Sequence, residues 1–198
     1  HPRVRRQRQM CIRDRFTIIL ISSTNVQAID WSQNTDIDFN NRLTEGKDIA
    51  YYIVPGNTYT ASIPQAVSKL RYPSGMWNPI VLTPTSVQKQ SKMDLYQYSS
   101  YDGNNAYTEV FRKNSSGQYY QSVSEMDYND WVYGNIHLNY TYLEGCDKDL
   151  RSTIILHEML HVYGCKDVKF TDSIMYFATS IVRGMTSDAN NVLVQKYN

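Results

Sequence analysis

Two of the 4 histidines in this sequence fall four residues apart, in His157-Glu158-Met159-Leu160-His161. On a helix, positions i and i+4 share one face, so two imidazoles there can ligate one metal ion from adjacent turns. Glu158 lies one residue on, rotated by roughly 100°, and can stand beside an open coordination position without being a ligand. Zinc lowers the pKa of a bound water towards about 7, and a carboxylate within reach can take its proton and later pass it to a leaving amine. The chemistry this spacing offers is metal-assisted hydrolysis. A purely structural zinc site would need a fourth protein ligand and no base, and no spare Cys or His stands at a suitable spacing.

A third ligand must come from downstream. No histidine follows His161 and no glutamate follows Glu158, which leaves Asp167, Asp172 and Asp188. Gly164 lets the chain turn back after the helix, and Asp167 comes three residues later, so Asp167 is the first choice. Asp172 is the runner-up. Asp188 opens the last helical segment and suits a cap there.

The run from His157 to Asp167 (HEMLHVYGCKD) resembles the extended metzincin motif HExxHxxGxxH/D, in the form with aspartate third. Ser173-Ile174-Met175-Tyr176 resembles the Met-turn of that clan, with Met175 at the matrixin spacing from Asp167. The resemblance implies that Met175 packs beneath a zinc ion held by His157, His161 and Asp167. It also implies that Glu158 is the catalytic base and that an extended substrate pairs with an edge strand, for which residues 106–123 are candidates. The specificity pocket is expected between the motif helix and residues 176–180. There are departures from the clan. Phe177 stands where the astacin branch has an assisting tyrosine, so Tyr176 does not inherit that role, and no cysteine-switch segment or matrixin-type surface zinc or calcium site is recognisable. Cys165 has no ligand role in the motif. His137 reads as a plain surface or core-edge histidine, and Asp102 as a polar turn residue.

The elements that must position these residues can be read from periodicity and punctuation. The motif sits in a dense apolar helix from Asp149 to Tyr163, capped by Asp147 or Asp149 and ended by Gly164. Ahead of it, residues 134–142 alternate as a strand, with Ile136, Leu138, Tyr140 and Tyr142 on one face. Residues 48–54 form a strand ended by Pro55-Gly56, residues 60–70 a helix, and residues 80–82 begin a short strand. Residues 95–118 carry one or two strands with a turn at 102–105, and residues 114–117 open a hairpin into 118–123. A final helix over 188–196 is capped by Thr186 or Ser187. Residues 29–47 are a polar lead-in. The order predicts an α+β fold. With the resemblance it becomes a metzincin-like zincin catalytic domain: a twisted, mostly parallel sheet with an antiparallel edge strand, the motif helix, the Met-turn and a C-terminal helix.

The whole chain of 198 residues suits one domain, and its formal net charge of +1 gives no reason to expect nucleic acid or an anionic membrane as partner. Residues 1–15 contain six arginines without periodicity and read as an adapter-like, non-native segment. Residues 16–28 form a short apolar run ending Val26-Gln27-Ala28, the pattern of a truncated signal peptide. The catalytic domain then spans 29–198, with a secreted, extracellular or periplasmic location. Cys146 and Cys165 flank a helix about 24 Å long, too far apart for a disulfide. Asn114 and Asn139 begin N-x-S/T sites, relevant only in a eukaryotic secretory route.

The reading is a monomeric, secreted zinc-dependent endopeptidase hydrolysing internal peptide bonds of a protein or peptide substrate bound as an extended strand. Its activity optimum is expected near or above neutrality. Two alternatives stand beside it: a zinc-binding secreted module of the same fold without turnover, and an amidase acting on cell-wall peptides.

Overall fold

The computed structural model describes residues 34–121 and 129–198. The adapter-like segment, the signal-peptide pattern and the end of the second hairpin strand lie outside these residues. Along the chain come β1 (Asp48–Ile53), α1 (Ser62–Arg71), β2 (Val81–Pro84), a single 3-10 turn at Gln88–Gln90, β3 (Met93–Tyr98), β4 (Ala106–Lys113), β5 (Tyr119–Gln121), β6 (Tyr133–Asn139), α2 (Tyr140–Leu143), α3 (Lys148–Tyr163) and α4 (Ser187–Tyr197).

The strands form one six-stranded mixed sheet in the order β2-β1-β3-β6-β4-β5. β2, β1, β3 and β6 run parallel to one another, with β1 and β2 joined by the crossover through α1. β4 runs antiparallel to β6, and β5 returns antiparallel on β4 through the Asn114–Gly117 turn. β4 is thus the one strand of the described sheet that runs against the others, and β5 lies outside part of it at the edge. The fold is α+β.

Alternation decides which face is covered. Met93, Leu95, Ile136 and Leu138 are fully buried on one face together with Ile155, Leu156, Met159 and Leu160 of α3 and Ile63 and Leu70 of α1. Each such side chain contributes about 1.5–3 kcal/mol by leaving water. α1 is held to α3 by Lys69, whose Nζ donates to Asp149 Oδ1 at 2.8 Å and to Thr153 Oγ1 at 3.0 Å. α3 lies close on β6 because position 134 is glycine: a Cβ there would stand 2.8 Å from the Val162 side chain. Trp131 Nε1 donates to Val162 O at 2.7 Å and fixes the same approach.

The strand expected over 134–142 stops at Asn139. Asn139 is fully buried, and its Oδ1 accepts from Thr141 N, capping the short helix α2. Tyr140 and Tyr142 are therefore helical rather than part of the strand's apolar face. The Asn139 amide also donates to Ser100 O, Asp102 Oδ1 and Asn104 O at 2.9–3.3 Å, so Asp102 serves the turn. His137, on the opposite face from Ile136, is stacked between Tyr96 and Tyr107 at 5.2 and 4.4 Å, with Nε2 2.9 Å from Glu109 Oε2. Cys146 and Cys165 are both buried and are not joined to each other. Among the described residues, no helix is long and apolar enough to cross a membrane.

Candidate metal centre

α3 begins at Asp147, whose carboxylate accepts from Leu150 N at 2.8 Å. It ends in a Schellman turn. Gly164 takes φ +103, its N–H donates to His161 O, and Cys165 N–H reaches back to Leu160 O at 2.9 Å. Glycine is required twice over at 164, since a Cβ would also stand 2.6 Å from Asn41 O. The turn sends the chain back along the last turn of the helix, which is what brings Asp167 to the histidines.

His157 Nε2 and His161 Nε2 are 3.1 Å apart, and Asp167 Oδ1 lies 3.0 Å from the first and 3.6 Å from the second. Two zinc ligands at about 2.0–2.1 Å in a tetrahedron are separated by about 3.3 Å, so these three atoms have the spacing of one metal's ligand set. The tautomers agree. His157 Nδ1 is 2.8 Å from Ile174 O, and His161 Nδ1 is 2.8 Å from Cys165 O. A carbonyl can only accept, so each Nδ1 carries a proton and each Nε2 turns its lone pair inward. Asp167 Oδ1 is buried, and although the imidazoles are near, no well-aligned donor reaches it. Three electron-rich atoms thus converge on one buried point, an arrangement that a cation relieves.

Without a metal, a proton must do that work. Burial opposes charge on His161, but the Asp167 carboxylate outweighs it, helped by Glu158 and the Cys165 carbonyl, and raises the imidazole to about 9. Asp167 is pushed up by burial, yet His161 and His157 hold it well below the usual carboxylate range.

Glu158 is buried, and donor atoms of His157, Glu158 and His161 lie within 4.8 Å of one another. Its Oε2 accepts from Thr108 Oγ1 of β4 at 2.8 Å, and the same hydroxyl lies 3.0 Å from Glu158 O. Residues 173–175 stand behind His157. Ile174 offers its carbonyl to the ring while its N–H donates to Thr186 Oγ1 at 3.2 Å, so Thr186 braces this turn instead of capping α4 with its side chain. Met175 is fully buried. Val168 N donates to Met175 O and Phe177 N to Val168 O, which zips the Asp167 loop to the Met175 turn.

The polar lead-in takes part as well. Asn34 Nδ2 donates to Asp167 O at 2.6 Å, Lys169 N donates to Asn34 O, Lys166 N to Ile37 O and Phe39 N to Gly164 O. Residues 34–39 therefore run along the loop that carries Asp167. Sequence reasoning had no signal for this contact or for Thr108, because both partners are distant in the chain and of ordinary type. Asp172 belongs to the exposed bend after Phe170, and no hydrogen bond or ion pair joins it to the histidines among the described residues.

One strand edge runs past the centre. Asn139 N donates to Asn105 O, which in the β4–β6 register turns the backbone N–H and C=O of residues 105, 107 and 109 towards β6. The hairpin bond from Asn114 N to Gln118 O agrees, since it turns the even-numbered residues outward. The backbones of Ala106 and Thr108 consequently face away from β6, and no strand partner for them lies among the described residues. Asn105 Nδ2 donates to Thr179 Oγ1 at 3.1 Å, which joins the start of this edge to the segment after Met175.

Compared with known proteins, the chain matches no family model and no curated protein.

Proposed function

We propose that this chain is a secreted zinc-dependent endopeptidase of the metzincin type that hydrolyses internal peptide bonds. The observation that carries the reading is the convergence of His157 Nε2, His161 Nε2 and Asp167 Oδ1, all turned inward and with Glu158 beside them. In this reading Glu158, whose carboxylate lies within 4.8 Å of both imidazole ligand atoms, is the base and Asp167 the third ligand.

His157, His161 and Asp167 would hold the zinc. Zinc bound there supplies a Lewis acid that polarises the scissile carbonyl and acidifies a water. Glu158 takes the proton from the attacking water as its oxygen bonds to the carbonyl carbon. It returns that proton to the departing amine nitrogen as the C–N bond breaks. The Ala106–Thr108 edge aligns the substrate by strand addition, with backbone pairing that is indifferent to side-chain identity. Residues 176–180 form the other wall and supply selectivity. Secretion rests on the apolar run at 16–28.

The test is cleavage of a quenched protein substrate by the zinc-loaded chain beside Glu158→Ala. Cleavage by the parent and its loss in the variant, with zinc retained by both, is the expected result. Zinc bound stoichiometrically by a folded parent that cleaves no protein or peptide substrate would sink the endopeptidase reading.

A further inference from the structure

Among the described residues of β4, Thr108 turns its side chain and its backbone to different parts of the site. Its backbone N–H and C=O face outward, where an extended peptide would pair. Its hydroxyl meanwhile points at Glu158, 2.8 Å from Oε2 and 3.0 Å from the residue's own carbonyl. A hydroxyl has one proton, and the carboxylate oxygen, as the charged acceptor at the shorter distance, has the stronger claim on it. Among the described residues no other side chain donates to the Glu158 carboxylate, and its neighbours along α3, Met159 and Leu160, are fully buried and apolar. The carboxylate is therefore held from one side only, by a strand that belongs to the substrate edge.

We propose that Thr108 is a positioning residue that fixes the Glu158 carboxylate through one oxygen and leaves the other to exchange the proton. It rests on the endopeptidase reading, and it ties the position of the base to the strand on which the substrate docks. A peptide that pairs well along Ala106–Thr108 holds the strand in place and, with it, the base. The role belongs to turnover rather than to substrate affinity, because the hydroxyl points away from the pairing edge.

The experiment compares the zinc-loaded parent with Thr108→Val, which keeps the shape and removes the hydroxyl, and Thr108→Ser, which restores it. Thr108→Val should lower kcat about 10- to 100-fold, the usual scale for losing an orienting partner, with KM and zinc affinity within about twofold of the parent. Thr108→Ser should recover most of the rate. Equal kcat in the parent and Thr108→Val overturns the proposal. So does a matching loss in Thr108→Ser, or weakened zinc binding in Thr108→Val, since either marks a merely structural role. A crystal structure of zinc-loaded Thr108→Val gives an arm independent of turnover. The Glu158 carboxylate should leave its place while His157, His161 and Asp167 keep theirs, and an unmoved carboxylate overturns the proposal. If the parent itself cleaves nothing, the endopeptidase reading fails, and this structural arm still decides whether Thr108 positions Glu158.

Discussion

His157 and His161 bring their Nε2 atoms to 3.1 Å of each other while both Nδ1 atoms are engaged with backbone carbonyls. Two lone pairs so placed, with the Asp167 carboxylate closing the triangle, need a positive charge between them. A metal ion and a proton are competitors for that place.

The first prediction follows from that competition. In the metal-free protein His161 holds its proton to about 9, against 6.5 for an ordinary imidazole. A raised folded-state pKa gives stability that is complete below the unfolded value, fades as pH rises from 6.5 and is gone above about 9. Asp167, depressed from 3.8, gives the acidic half of the same interaction, lost as pH falls through its lowered folded value. The pair is counted once and is worth on the order of 3 kcal/mol. Chelated protein should therefore unfold at lower denaturant at pH 9 than at pH 6. Zinc binding at pH 7.5 should release about one proton, read by calorimetry in buffers of different ionisation enthalpy. Zinc uptake without proton release would contradict the assignment.

Asp167 and Asp172 were the two leading candidates for a third ligand, and only Asp167 approaches the histidines. Asp167→Asn should weaken zinc binding more than about 100-fold, beyond the range for an outer partner. Asp172→Asn should bind zinc like the parent. Competition against a chromogenic chelator measures both, and the reverse ranking would remove Asp167 from the centre.

Residues 34–39 hold the loop that carries Asp167 through the Asn34, Ile37 and Phe39 bonds. Chains beginning at residue 34 and at residue 41 should both fold. The shorter one should bind zinc about 10- to 100-fold more weakly, the scale for lost supporting bonds. Equal affinities would mean that the loop keeps its shape unaided.

Gly164 combines φ +103 with a 2.6 Å approach of a notional Cβ to Asn41 O. Gly164→Ala should cost about 2 kcal/mol or more by strain and contact together. It should also loosen the Cys165 carbonyl that orients His161. Denaturant melts of the metal-free protein report the first effect, and zinc competition reports the second.

The sequence by itself determined the parts of this protein that are local. The i, i+4 spacing put two imidazoles on one helix face, Asp147 and Gly164 marked the ends of that helix, and alternation marked β6 as far as Asn139. The offset from Gly164 to Asp167 singled out the aspartate, because a left-handed turn returns the chain within a few residues. Tertiary structure decided what depends on residues far apart in the chain. Thr108 meets Glu158 from 50 positions away and Asn34 meets Asp167 from 133, and nothing in a threonine or an asparagine announces such a partner. The strand end at Asn139 was also settled by contacts, since its buried amide binds the 100–104 turn and stops the extended run that alternation alone would have carried to Tyr142. Periodicity records which face of an element is apolar, but a hydrogen bond between distant segments leaves no period behind.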